Sequence, residues 1–274
     1  MISSSGGINW FIGTMGFSFQ DWIGNFYPKG LRQDRFLSYY SRFFNSVEID
    51  STFYGTPNRS KVLRWKTITP MDFKISVKMP RSITHDAGLR NVKYETKEFV
   101  ERVKELGEKL GVVLIQMPPF FGVEQIGPTT EFLKSLPDGI RYAIEMRDKS
   151  WFEIEGNKKS PIFVNILREN DICWAATEYP NVPNEINPTT DFLYIRWIGK
   201  HGTFQNFTKA SINRQVVLKN WVERMNDKKT GINTIYGYFN NDYSGFSPET
   251  ANEFKKIVGL EITDFKFPVQ SEMF

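Results

Sequence analysis

The sequence predicts an α/β fold, a TIM-like (β/α)8 barrel forming a single domain over residues 1–274. Two observations carry that expectation. Short apolar or alternating runs recur eight times along the chain, and most intervals between them carry apolar residues at helical spacing. The length agrees, because barrels of this kind commonly run to about 250 residues as one unit. Strands that regularly alternate with helices pair in parallel. Eight such units favour a barrel over an open doubly wound sheet, which stays the structural alternative.

INWFIGTMG (8–16) opens the series, and RFLSYYSRFF (35–44) supplies the first helical pattern. SVEID (46–50) is the second strand, followed by the helix SKVLRWKTI (60–68), which Asn58 precedes as a cap. FKISVKM (73–79) leads to TKEFVERVKELGEKL (96–110), with Gly111 placed to end that helix before VVLIQM (112–117). EFLKSL (131–136) precedes the fifth strand, YAIEM (142–146), and PIFVNILREN (161–170) precedes the sixth, ICWAAT (172–177). The next interval, EYPNVPNEINPTT, carries three prolines and three asparagines and reads as a loop. FLYIRWI (192–198), a helical stretch from Ser211 to Lys228, and TIYGYF (234–239) follow. The last helix, SPETANEFKKIV (247–258), starts with Ser247 as cap, Pro248 in the first turn and Glu249 as an early acid.

In a barrel one face of each strand meets the helices and is apolar, so the period of two sorts the remaining residues inward. By that rule Val47 and Ile49 face out while Glu48 and Asp50 face in; Ile75, Val77 and Met79 face out while Lys74, Ser76 and Lys78 face in. Ile115 turns out and Gln116 in. In AIEMRDKSW (143–151) the same parity sends Ile144 and Met146 to the helices and both charges, Glu145 and Arg147, to the interior. Tyr194 and Arg196 form the inward set of the seventh strand, and Tyr236, Tyr238 and Asn240 that of the eighth. Most of these lie toward strand C-termini, the active-site end of the architecture, whereas Lys74 belongs to the opposite mouth. A paired polar core without a substrate is the plainer reading of any one of them. It fits the whole set less well, because buried ion pairs are often no more stabilising than apolar substitutes.

Lys plus Arg total 35 against 31 Asp plus Glu, a formal charge of +4 spread along the chain, so an anionic partner draws only weak support and no basic nucleic-acid module stands out. The single cysteine, Cys173, forms no intramolecular disulfide and reads as a buried thiol. The start MISSSGGINW lacks a basic segment followed by an apolar run, and nowhere do about 18 apolar residues run together. These features predict a soluble, cytoplasmic protein without a membrane partner. His85 and His201 lie far apart, with no HxH or HExxH spacing, and the usual dinucleotide, nucleotide, serine-hydrolase and CxxC motifs are absent. No cofactor is expected. A divalent ion held by Glu48, Glu145 and Asp242 stays open as an alternative.

Two carboxylates, Glu48 and Glu145, fit a glycosidase pair in residue type, although Arg147 lowers the pKa of Glu145 and suits it to a base or anchor rather than an acid. IGKHGTF after the seventh strand could hold phosphate through its backbone, or be an ordinary glycine turn. FNNDYSGFS places Asn240, Asn241 and Asp242 on the same rim, where turns also favour those residues.

Several segments together resemble the YecE-like family, catalogued as domain of unknown function 72 and distantly likened to sugar isomerases. They are GTMGFSFQDWIGNFYPKG (13–30), NSVEIDSTFYGTP (45–57), FKISVKMPRSITHD (73–86), VLIQMPPFF (113–121), AIEMRDKSW (143–151), YIRWIGKHG (194–202) and YGYFNNDYSGFSPETA (236–251). The resemblance implies a TIM-like barrel and no established reaction. It matches at Glu48, Lys78, Gln116, Glu145, Arg147, Ser150, Trp151, Arg196, Asn240, Asn241 and Asp242. It departs where the family usually has histidine and this chain has Asp148 and Ile198, so an imidazole at neither position is essential here. It also marks rim aromatics, Phe17, Trp22, Phe26, Tyr27, Tyr54 and Trp151, suited either to loop packing or to stacking on a sugar or base.

The expected function is proton transfer on a small anionic or polyol substrate such as a sugar or sugar phosphate. Glu145, Arg147, Glu48 and Lys78 form the catalytic group, and Gln116, Trp151, Arg196, Asn240, Asn241, Asp242 and Tyr54 the substrate-binding group. The alternative is a non-catalytic module binding a nucleic acid or nucleotide through the same mouth, using Lys78, Arg81, Arg147 and Arg196 with aromatic stacking.

Overall fold

The alternation of strand and helix leaves only parallel neighbours, and every ladder in the computed structural model, which describes residues 7–152 and 161–265, is parallel. The strands are β1 (Asn9–Thr14), β2 (Ser46–Ile49), β3 (Lys74–Lys78), β4 (Leu110–Gln116), β5 (Arg141–Glu145), β6 (Ile172–Trp174), β7 (Ala176–Glu178), β8 (Phe192–Trp197) and β9 (Thr234–Phe239). They form two ladders, β1-β9-β8-β7 and β2-β3-β4-β5-β6, that meet at two seams. At one, β6 and β7 are two pieces of the sixth predicted strand, which changes partner at Ala175; the Ala175 N–H donates to the Ile144 carbonyl at 2.9 Å. At the other, β1 meets β2 at the Met15–Glu48 bridge, with Gly16 N–H donating to Glu48 O at 2.7 Å. Gly13 permits that approach, since a Cβ there would lie 1.9 Å from the Ser46 carbonyl oxygen.

Burial divides as parity requires. Val47, Ile49, Ile75, Val77, Met79, Ile115, Ile144, Met146, Ile195, Trp197, Ile235 and Phe239 belong to the cluster between strands and helices. A separate cluster, with Met15, Val112, Leu114, Ala143, Cys173, Tyr194, Tyr236 and Tyr238, fills the barrel interior. Two buried layers lie on opposite faces of the same strands, and the contacts at both seams bring the two ladders round edge to edge as a TIM-like barrel requires.

The helices are α1 (Phe36–Tyr40), α2 (Arg59–Ile68), α3 (Lys93–Lys104), α4 (Ile126–Lys134), α5 (Pro161–Glu169), α6 (Gln215–Lys228), α7 (Asn241–Ser244) and α8 (Ser247–Ile257). Asn58 caps α2 by accepting from Lys61 N–H at 2.9 Å. Three local expectations change. α3 ends at Lys104, and Gly107, at φ 62°, takes the left-handed position after it; Gly111 lies inside β4. Ser247 is the first residue of α8 rather than its cap, and gives both its N–H and its hydroxyl to Asn241 Oδ1. The short α7 carries no apolar period by which it could be read.

Gly111 has a packing reason to be glycine. A Cβ would sit 2.8 Å from Ser76 Oγ and 3.2 Å from the Tyr236 ring, inside the barrel. Gly111→Ala is therefore expected to cost about 1–3 kcal/mol by overpacking, measured by urea unfolding; an unchanged midpoint would show that β3 and β9 can give way. Among the described residues no helix is long and apolar enough to cross a membrane.

Candidate active site at the carboxyl end of the barrel

The period of two brings Glu48 from β2, Glu145 from β5 and Arg196 from β8 to one point. The Arg196 guanidinium grips Glu48 with two bonds, Nε to Oε2 at 3.0 Å and Nη2 to Oε1 at 2.7 Å, and its Nη1 donates to Glu145 Oε2. Arg147 Nε donates to the other Glu145 oxygen at 3.0 Å, and Tyr194 OH donates to Glu48 Oε2 at 2.6 Å. Asp50 Oδ1 approaches Arg196 Nη2 at 3.7 Å and makes no hydrogen bond. Beneath this lies a layer of hydroxyls, in which Tyr238 shares hydrogen bonds with Ser46 at 2.6 Å and Ser76 at 2.9 Å.

The side chains of Glu48 and Glu145 are completely buried and that of Arg196 is 3% exposed. Their charges are thus a floor. What faces the opening is Arg147, Lys78, Asp50 and His85, all partly exposed. Lys78 Nζ stands 3.9 Å from the Phe53 ring centroid, and among the described residues no carboxylate lies within ion-pair distance of it.

Electrostatics separate the two floor carboxylates. Burial pushes Glu145 up, but Arg147, Arg196 and Lys78 together overcome it and hold the carboxyl at about 2. Burial raises Glu48 to about 7, with Arg196 opposing and Asp50 adding to the rise. Lys78 is lowered to about 8, first by burial and then by Arg196, with Asp50 pulling the other way. The ring face of Phe53 favours the ammonium form as well. Burial, Lys78 and Arg147 lower His85 to about 4, so its imidazole is neutral at pH 7.

His85 enters from a π-helical turn, Ser82–Asp86, a geometry that often marks functional positions. Its ring meets Phe53 edge-on at 4.9 Å, and its Nδ1 lies 2.9 Å from Thr84 Oγ1. Sequence reasoning passed over His85 because it sought paired histidines; the nearby signal is the run SITHD directly after the third strand. Tyr179, with the Arg147 guanidinium 4.3 Å from its ring centroid, was also passed over.

The remaining sequence candidates have varied settings. Gln116 pairs with Glu145 in the ladder and donates to Met117 O at 2.5 Å. Asn240 accepts from Asp242 N–H at 2.9 Å to cap α7, and its amide reaches Met15 Sδ at 3.7 Å. Asn241 is buried, with Oδ1 accepting from Trp22 Nε1 and from the Ser247 N–H and hydroxyl, so that acceptor is used within the fold. Asp242 Oδ2 lies 3.0 Å from His201 Nδ1. Trp151 is fully buried, donates to Phe121 O at 2.6 Å and packs on Phe163, while Tyr54 is 87% exposed. Asp148 caps the turn Lys149–Trp151, and Ile198 joins the interior cluster. Among the described residues no three His, Cys, Asp or Glu side chains gather as metal ligands, so Asp242 does not join Glu48 and Glu145.

Residues 11–272 match the family described as "Protein of unknown function DUF72". The chain belongs to the DUF72 family. It is 36% identical to the UPF0759 protein YecE of Escherichia coli strain K12 over 116 residues, 42% of this chain and 43% of YecE. That match therefore spans less than half the length of the relative. The UPF0759 protein YunF of Bacillus subtilis strain 168 is 22% identical over 96% of this chain and 99% of its own. Two crystal structures of DUF72 proteins share the fold. The Thermotoga maritima protein has a TM-score of 0.75 at 28% identity, covering 92% of this chain and 99% of that one. The Enterococcus faecalis protein has a TM-score of 0.76 at 20% identity, covering 94% and 98%. These likenesses give the DUF72 chain a family and a barrel; no reaction comes with them.

Proposed function

We propose that this DUF72 protein is an enzyme whose carboxyl-end mouth binds a small polar anion of the sugar or sugar-phosphate class and moves a proton on it. The observation that carries the reading is Lys78, a partly buried ammonium at the mouth with no carboxylate within ion-pair distance among the described residues, beside a floor whose own charges are paired. An anion entering there meets Lys78 and Arg147, the two cations that face the opening. Lys78, lowered to about 8, is the proton carrier, because a group titrating near the working pH can both take and return a proton. Glu145, at about 2, stays ionised and fixes Arg147 and Arg196 in place. This shifts the base role from Glu145 to Lys78. Glu48, raised to about 7, is the second group able to change protonation, and Tyr194 and Arg196 donate to its ionised form. Asp50, His85 and Asn240 supply acceptors and donors for hydroxyls, and Tyr54 a ring at the rim.

The experiment is a thermal-shift screen against sugar phosphates and sugar acids. A ligand at a hundred times its Kd stabilises the fold by about 2.7 kcal/mol. The expected result is a raised Tm in the native protein that Lys78→Met and Arg147→Met each lose. A ligand that stabilises all three alike would place binding elsewhere and defeat the reading.

A further inference from the structure

The amino end of the barrel carries a second set of inward cations that the mouth does not use. Lys74 opens β3 and Arg141 opens β5, each four residues before a mouth residue on its own strand, Lys78 and Glu145. Four residues of strand span about 13 Å. Arg141 Nη1 donates to Tyr236 OH at 3.1 Å, and its guanidinium lies 5.3 Å from the Phe192 ring centroid. Lys74 donates to the Glu108 carbonyl at 2.5 Å and lies 5.9 Å from the Phe11 centroid. Among the described residues neither cation has a carboxylate within ion-pair distance.

Both cations line a cavity of about 660 Å³, whose wall also includes Lys104, Glu108, Asp171 and Tyr236. Tyr236 is the ring in its wall, and it is itself packed by Phe11, stacked at 5.1 Å and 20°, and by Phe192, edge-on at 6.0 Å. The two cations repel each other, and Lys74 is lowered by burial, then opposed by Glu108, then lowered further by Arg141. Glu108 and Asp72 relieve only part of this, and neither reaches contact. The Tyr236 hydroxyl accepts from Arg141, so its own hydrogen, with no acceptor among the described residues, is left to donate.

We propose that this cavity is a second ligand site, taking a small phosphate-bearing anion. Lys74 and Arg141 match the two charges of a phosphate, and the Tyr236 O–H supplies a third donor. Guanidinium and ammonium held side by side in a concave, partly buried setting bind such an anion through charge-assisted hydrogen bonds. The ligand is either free phosphate or a phosphate monoester whose apolar part rests on the Tyr236 ring.

Inorganic phosphate and phenyl phosphate are the probes, read by backbone amide shifts of Gly111 and Gly139, which line the cavity. The expected result is saturable shifts at both glycines. Arg141→Met and Lys74→Met each weaken the affinity about tenfold or more, as loss of a charge-assisted hydrogen bond implies. Phenyl phosphate binding more tightly identifies a monoester, and equal binding identifies free phosphate. Lys78→Met with Arg147→Met disables the mouth and is expected to leave these shifts unchanged, so failure at one end is distinct from failure at the other. If Arg141→Met does not fold, Lys74→Met alone decides. No movement at Gly111 and Gly139, or affinity unchanged in the Lys74 variant, would overturn the proposal.

Discussion

Replacing Arg196 with methionine is expected to destabilise the protein by about 3–5 kcal/mol, because it leaves buried Glu48 without a cationic hydrogen-bond partner and Glu145 with Arg147 alone. Arg196 supplies both hydrogen bonds that pair Glu48 and one of the two donors on Glu145. Neither carboxylate can turn to water, since both side chains are completely buried. An exposed pair sets the scale for comparison. Arg59–Glu105, with Arg59 70% exposed, makes an equally short contact of 2.7 Å, yet such surface pairs contribute little because solvent screens them. Urea unfolding of Arg196→Met and Arg59→Ala measures both. A combined Glu48→Gln and Arg196→Met variant is expected to recover part of the loss, because Glu145 and Arg147 then remain as a pair and no carboxylate is buried alone. A near-neutral Arg196→Met would mean that the carboxylates are hydrated and the floor is not dry.

Acid is expected to act on the floor in two opposite ways. Glu145 has a folded value of about 2 against an ordinary 4.5, so its ionised form is favoured by folding. That contribution, about 3 kcal/mol, is present above the ordinary value and is lost as pH falls from about 4.5 to about 2. Glu48 has the reverse sign. Its folded value of about 7 lies above 4.5, so its contribution is complete below about 4.5 and is lost as pH rises through about 7. Taken alone, the two groups place a stability maximum near pH 4.5. His85, lowered to about 4, works against Glu48 between about 4.5 and 6.5, because there the unfolded imidazole binds the extra proton. Urea midpoints at pH 2.5, 4.5 and 7 therefore read each carboxylate as a difference from the native protein: Glu145→Gln is expected to flatten the acid limb and lower stability at pH 7, and Glu48→Gln to remove the Glu48 decline and leave the rise that His85 supplies. An acid limb unchanged in Glu145→Gln would remove Glu145 as its source.

The period of two made the barrel and its floor legible before any coordinates. Glu48, Lys78, Glu145, Arg147 and Arg196 could be grouped because the residues beside them, such as Ile49, Val77, Ile144 and Trp197, had to face helices. That logic stops where strands stop. Trp151 and Asn241 sit in short turns beside the site, and no periodicity tells that the indole N–H reaches Phe121 or that the Asn241 oxygen meets Trp22 and Ser247. His85 depends on a π-helical turn, whose extra residue per turn leaves no mark in an apolar pattern. Gly111 read as a helix stop because it follows a helical run; its closeness to Ser76 and Tyr236 arises only when β3 and β9 come round the barrel. The two-piece sixth strand is similar, since the change of partner at Ala175 is a property of the ring and not of ICWAAT.

Lys78 is an ammonium poised near neutrality, with no carboxylate within ion-pair distance among the described residues, at the mouth of the barrel. The most direct measurement of this is the pH titration of the Lys78 side-chain amine by NMR in isotopically labelled protein, assigned with Lys78→Met. The predicted result is a midpoint near 8 that moves upward in Arg147→Met, because Arg147 is one of the charges that depress it. A midpoint at the ordinary 10.5 that Arg147→Met leaves in place would contradict the account.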